Sequence, residues 1–192
     1  MSFVNRYRQR CQNDGAECDE GFTLIELLVV LLIIGILLAI AIPTFLGVTK
    51  GANNTAAQSN LQTALTGAKA YYTNSNQTYG NSAALVAGEQ GVGTGLTYQT
   101  AVSTGNNMIS VGSTTDTTGA LLTNYSPGTT ECWGILDLTV TQTTAVLGET
   151  AVGTYFWVQK SATAATCVAA TDLASAVALT NMTIQATGFP AG

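Results

Sequence analysis

Histidine is absent from this chain, and charged residues of either sign are scarce. Its 192 residues include six lysines and arginines and eleven aspartates and glutamates, so that 9% of the chain is charged. Without histidine there is no His-based triad, no histidine metal site and no side chain that titrates near neutral pH at its usual pKa. We therefore expect no catalytic residues, no metal and no cofactor.

Positive charge is also too sparse for broad contact with nucleic acid. Three arginines lie within the first ten residues, and three lysines are scattered over the rest of the chain: Arg6, Arg8, Arg10, Lys50, Lys69 and Lys160. An electrostatic footprint for nucleic acid needs clustered Lys and Arg. Nucleic-acid binding is therefore not indicated. A small local patch of positive charge formed in an assembly is an alternative that the sequence leaves open.

A long apolar run near the N-terminus dominates the sequence. It extends from Leu24 to Ile42, stops at Pro43 and contains one ionisable side chain, Glu26. As a helix this run is roughly 28 Å long, and a bilayer core is about 30 Å thick. A carboxylate inside such a segment costs about 2–3 kcal/mol, so we expect Glu26 to have a partner. The plain alternative is a single-span anchor, but Glu26 and the Gly21–Phe22 junction argue against it.

The four cysteines fall into two pairs on opposite sides of the apolar run. Cys11 and Cys18 precede it, and Cys132 and Cys167 lie far beyond it. The arginines before the run predict a cytoplasmic N-terminal end by the positive-inside rule. The distal pair then lies in an oxidising compartment, where we expect a structural disulfide rather than redox or metal chemistry. The first pair stays reduced.

Beyond Pro43 the sequence predicts a helix and then a sheet, an α+β fold. Apolar residues at helical spacing predict an amphipathic helix over about 49–73 that continues the apolar one with a kink at Pro43. The glycines from Gly88 to Gly95 predict a flexible loop. Five β-prone runs predict an antiparallel sheet that buries one face on the helix: 96–102, 108–111, 133–140, 154–159 and 179–186.

The segment Gly21-Phe22-Thr23-Leu24-Ile25-Glu26 carries a family likeness. The chain resembles the type IV prepilins, the precursors of type IV pilus subunits and of the related pseudopilins, strongly over 21–46 and more weakly through Tyr72. The resemblance implies the type IV pilin fold in three segments: a cleaved cytoplasmic leader over 1–21, a transmembrane and filament-core helix over 22–48, and an extracellular globular domain over 49–192 that ends in the cysteine-paired region.

The resemblance also implies processing and assembly. A prepilin peptidase and N-methyltransferase would cut after Gly21 and methylate the new terminal amine on Phe22. That amine is the natural partner for Glu26 of an adjacent subunit, because an ion pair in an apolar environment is tolerated only when both charges meet. Gly35 weakens the helix and Pro43 removes a backbone donor, and both fall where related helices lose regularity on assembly.

We therefore expect a structural subunit of a type IV pilus, and a major subunit rather than a minor one. The expected partners are identical subunits in a helical homopolymer, the peptidase, a platform protein, an assembly ATPase and, before assembly, the cytoplasmic membrane. Two alternatives stay open. One is a type II secretion pseudopilin or a minor pilin. The other is a membrane-anchored adhesin or DNA-binding module.

Overall fold

The computed structural model describes residues 22–90, 94–169 and 182–191. The chain divides into two compact units, Met1–Phe45 and Leu46–Gly192. The predicted leader over 1–21, with Gly21, Cys11 and Cys18, lies outside the described residues.

A long helix, α1, extends over Leu24–Asn74 and passes through Pro43, so the predicted continuation of the apolar helix is confirmed. Next to the proline, the hydroxyl of Thr44 donates to the carbonyl oxygen of Ala41 at 2.9 Å. Further threonine hydroxyls of α1 donate in the same way to carbonyls three or four residues earlier: Thr49, Thr55, Thr63, Thr66 and Thr73. These hydroxyls are thus satisfied within their own helix.

A second helix, α2, covers Ser82–Gln90, where the sequence had predicted a loop from Gly88 onward. Asn81 caps it, because its side-chain oxygen accepts from the backbone N–H of Ala84 at 2.9 Å. Gly88 lies within this helix. Its lack of a side chain leaves room for the ring of Tyr71, which would lie 2.1 Å from an added Cβ. The loop prediction was therefore wrong for residues 88–90.

Within the described residues, six strands form one sheet in chain order, β1 to β6. Their bounds are Thr97–Gln99, Met108–Ser113, Gly119–Ser126, Glu131–Leu138, Gly153–Gln159 and Met182–Gln185. The strands from β2 to β6 pair antiparallel, and β1 pairs parallel with β2. The predicted α+β architecture is confirmed, with two differences: the short parallel pair at one edge, and β3, which the sequence did not predict.

The sheet buries one face on α1 as predicted, and its central strands β3 and β4 are buried on the opposite face as well. Trp133 and Ile135 of β4 pack with α1 residues such as Leu61. Leu136 and its neighbours on the opposite face join a second cluster that includes Trp157 of β5. Every residue of β4 is buried. Since a fully buried large side chain contributes about 1.5–3 kcal/mol, β4 is a main source of stability for this unit.

The predicted disulfide between Cys132 and Cys167 is confirmed. Their Cα atoms lie 5.5 Å apart across a sequence separation of 35 residues. The bond joins β4 to the segment that follows a short 3₁₀ helix, Ala164–Thr166. Both sulfurs belong to the second cluster and are fully buried.

Candidate functional site

The first half of α1 exposes an unbroken apolar surface in the single chain. The exposed fraction of its large apolar side chains ranges from 45% at Val29 to 81% at Leu24. An 18-residue window has a mean hydropathy of 3.2 with no part of it buried, so the helix is long and apolar enough to cross a membrane. An apolar surface this continuous needs lipid or other protein to cover it.

The carboxylate of Glu26 closes a capping box at the start of α1. Its Oε2 accepts from the backbone N–H of Thr23 at 2.9 Å and from the Thr23 hydroxyl at 2.7 Å. In return, the backbone N–H of Glu26 donates to the Thr23 hydroxyl at 3.3 Å. This reciprocal arrangement satisfies donors that the first turn of a helix otherwise leaves free.

The capping box has a chemical consequence for Glu26. Its carboxylate accepts from Thr23 through Oε2 alone, and no described residue donates to Oε1. The carboxylate is thus held in a fixed orientation with one oxygen available to a donor from outside the chain. A protonated amine is one donor that such an oxygen binds well, because the hydrogen bond is then charge-assisted.

Thr23 is a site residue that the sequence interpretation missed. The signal was present, because a threonine followed three residues later by a glutamate, directly before an apolar run, is the pattern of a capping box.

Gly35 and Pro43 both lie within the helical stretch of α1. An added Cβ on Gly35 would meet no heavy atom within 4 Å, so packing inside the chain does not account for the glycine. The helix is continuous through both positions in the single chain. Loss of regularity there on assembly stays a prediction, as do cleavage at Gly21 and methylation of Phe22.

A polar cluster attaches the second half of α1 to the sheet. The amide nitrogen of Asn54 donates to Glu131 of β4 at 2.6 Å, and its amide oxygen accepts from the Thr129 hydroxyl at 2.6 Å. Nearby, Asn60 of α1 donates to the backbone oxygen of Asn106 at 2.7 Å. These directional bonds fix the lengthwise position of α1 on the sheet, which apolar packing alone specifies less strictly.

Residues 18–42 match the prokaryotic N-terminal methylation motif. The chain is also similar to the type IV wide pilus major component PilA4 of Thermus thermophilus, with 43% identity over 68 residues. That alignment covers 35% of this chain and 52% of the relative, so the chain spans about half the length of the curated protein it matches. No solved structure is significantly similar to the chain.

Proposed function

We propose that this chain, a type IV pilin by its N-terminal motif, its relative and its fold, is the structural subunit of a surface filament. The observation that carries the proposal is the exposed apolar half of α1 with its single acid, Glu26, oriented by Thr23. Lipid covers this surface in the precursor, and identical helices cover it in the filament.

Processing precedes assembly in this proposal. The leader over 1–21 keeps the N-terminal end in the cytoplasm, and a prepilin peptidase cuts after Gly21. The cut removes every charge that precedes Phe22 and creates an amine there, which the same enzyme methylates. The segment over 22–48 then serves first as the membrane anchor and later as the filament core, and residues 49–192 form the extracellular domain.

The Phe22 amine of one subunit pairs with Glu26 of its neighbour. The capping box supports this step, because Thr23 occupies Oε2 and leaves Oε1 to accept the incoming amine. A buried ion pair contributes little net free energy once desolvation is counted, but a missing partner is costly. The pair therefore selects the axial register of the subunits, and packing supplies the stability.

Gly35 and Pro43 allow the helix to adjust as subunits crowd together. Gly35 is an intrinsically weak helix residue, and Pro43 withholds one backbone hydrogen bond. Local loss of helix between them lengthens the segment, so neighbouring globular domains fit around the filament without strain in the sheet.

The partners follow from this mechanism. They are identical subunits in a helical homopolymer, the peptidase and N-methyltransferase, a platform protein and an assembly ATPase. The precursor resides in the cytoplasmic membrane and the assembled subunit on the cell surface. The relative's description as a major pilus component supports a major subunit here. Adhesion, motility and DNA uptake are the functions that such a filament serves.

Intact-mass analysis of material sheared from cells tests the proposal. We expect a dominant species that begins at N-methylated Phe22 and is lighter by the two hydrogens of one disulfide. Processed chain found only in the membrane fraction would instead identify a pseudopilin or a minor pilin. A chain that still begins at Met1 would overturn the proposal and leave a plain anchored surface protein.

A further inference from the structure

Glu89, near the end of α2, is a buried acid without a counter-charge. The residue is fully buried. Neither of its carboxyl oxygens meets the geometry of a hydrogen bond to any described residue. An ionised carboxylate in such a place would lose its hydration without compensation, so the neutral acid is favoured there.

The surroundings of Glu89 are tightly packed. On the α1 side, Oε2 lies 3.0 Å from where a Cβ on Gly67 would be, so the absence of a side chain at Gly67 makes room for the acid. One turn away, Tyr71 of α1 covers Gly88 of α2 in the same manner. The contact between the two helices thus depends on two glycines, one on each helix, and the acid lies inside it.

The ionisable groups that face Glu89 from the described elements are phenols. Tyr98 of β1 is the nearest of them, and its hydroxyl makes its own hydrogen bond with Thr94 at 3.0 Å. Tyr79 also interacts electrostatically with Glu89. Strand β2 contributes no ionisable side chain. The lysine of α1 in this region, Lys69, is paired with Asp137 instead.

We propose that Glu89 is a proton-operated latch: it is buried as the neutral acid when α2 docks on α1 and β1, and loss of its proton releases α2. The proton goes to solvent in the released form, where the carboxylate is hydrated. The device goes beyond filament assembly and does not depend on the N-terminal segment, because the residues that form it all lie in the globular unit.

The direction of the effect follows from linkage. Burial raises the pKa of Glu89 from an ordinary value of 4.5 to about 8, although the Tyr98 hydroxyl lowers it in part. Between pH 4.5 and pH 8, Glu89 of the docked form holds a proton that Glu89 of the released form has lost. The opening constant of α2 should then rise about tenfold for each pH unit across this window and level off above pH about 8. Docking is strongest on the acidic side.

Hydrogen–deuterium exchange of the full chain in detergent micelles measures this opening constant. Exchange of peptides within 82–90 is followed from pH 5 to pH 8 and divided by the intrinsic exchange rate at each pH. The chain has no histidine, so few other side chains titrate in this window. We expect the wild type to open about 400-fold more often at pH 8 than at pH 5, with peptides from β4 unchanged.

Two variants separate the latch from a general effect of pH. Glu89→Gln keeps the shape and cannot ionise, so its opening constant should not vary with pH. Glu149→Gln alters a partly exposed acid of the same unit and should behave like the wild type. An identical pH slope in the wild type and Glu89→Gln would overturn the proposal, whatever the state of the filament.

A titration of the wild type provides the test if Glu89→Gln fails to fold. The chain contains six glutamates, and selective carbon-13 labelling of their carboxyl groups follows each by its chemical shift. We expect one carboxyl to titrate far above the others, near pH 8. Titration of every glutamate in the ordinary range would overturn the proposal.

Discussion

The ammonium of Lys69 lies 3.3 Å from the carboxylate of Asp137 and joins α1 to the centre of the sheet. The lysine side chain is 49% exposed and the aspartate side chain 8% exposed, so the two partners differ sharply in solvation. Asp137 also accepts hydrogen bonds from the hydroxyls of Tyr79 and Thr154. Three separate segments therefore meet at one carboxylate.

Replacement of this carboxylate should be far more costly than replacement of the lysine. Asp137→Ala leaves the buried Tyr79 hydroxyl without its acceptor, and we expect a loss of about 2–3 kcal/mol in the free energy of unfolding. Lys69→Ala removes a half-exposed, solvent-screened partner and should cost at most about 1 kcal/mol. Denaturant unfolding followed by tryptophan fluorescence gives both values. Equal losses would contradict the assignment of Asp137 as the central group.

The disulfide should stabilise the globular unit measurably. Cys132→Ser removes a cross-link over 35 residues, and we expect the free energy of unfolding to fall by about 3–4 kcal/mol under oxidising conditions. A reducing agent strong enough to open the bond should lower the free energy of unfolding of the wild type to that of the variant. An unchanged melting temperature for Cys132→Ser would show that the bond does not support the fold.

Gly134 of β4 has a steric reason to be glycine. An added Cβ would lie 2.1 Å from the buried ring of Trp157, so Gly134→Ala should displace that ring and cost about 1–3 kcal/mol. Gly51→Ala is the matched control, because nothing lies within 4 Å of its added methyl group. In an exposed helix that change should stabilise by up to about 1 kcal/mol. Thermal unfolding of the two variants tests this contrast. Melting temperatures that shift in the same direction for both variants would contradict the steric explanation for Gly134.

Glu26→Ala should separate processing from assembly. The variant lacks the carboxylate that we propose pairs with the Phe22 amine, but it leaves the proposed cleavage site before Phe22 unchanged. We expect normal cleavage in the membrane fraction and a large loss of filaments in the sheared fraction, both measured by immunoblot. Glu26→Gln, which retains an acceptor oxygen for Thr23, distinguishes loss of the charge from loss of the cap. Abundant filaments from both variants would remove the pairing role.

Substitution at Gly21 should block cleavage, the step that precedes assembly in the proposed mechanism. Gly21→Ala, or a bulkier residue, places a side chain at the bond that the peptidase must accommodate. We expect uncleaved precursor to accumulate in the membrane, with a mass that still includes residues 1–21. Normal cleavage of the variant would contradict the assigned site, and Gly35→Ala, away from the junction, controls for a general effect on membrane insertion.

Much of the fold could be predicted because its strongest signals are local. The run from Leu24 to Ile42 and the helical spacing after Pro43 predicted α1, and alternating or β-branched stretches predicted most strands. Strand β3 was missed because Gly119–Ser126 has few β-branched residues, and it forms only through pairing with β2 and β4 on either side.

The missed features of the globular unit depend on contacts between distant residues. Gly88 predicts a loop by itself, but Tyr71 fills the space above it and the segment stays helical. The sequence assigned no role to Asp137 or Glu89, yet both are buried, the first among three partners and the second without a counter-charge. Local patterns carry no information on which distant side chain occupies such a space.

Threonine hydroxyls of α1 donate to carbonyls of their own helix, which has a consequence for contact between neighbouring subunits in the proposed filament. The hydroxyls of Thr44 and Thr49 donate to backbone carbonyls of their own helix. In the proposed filament, a neighbouring helix that slides along this stretch would break no side-chain hydrogen bond of Thr44 or Thr49. The proposed pair between Glu26 and the Phe22 amine would then be the polar contact that such sliding has to break.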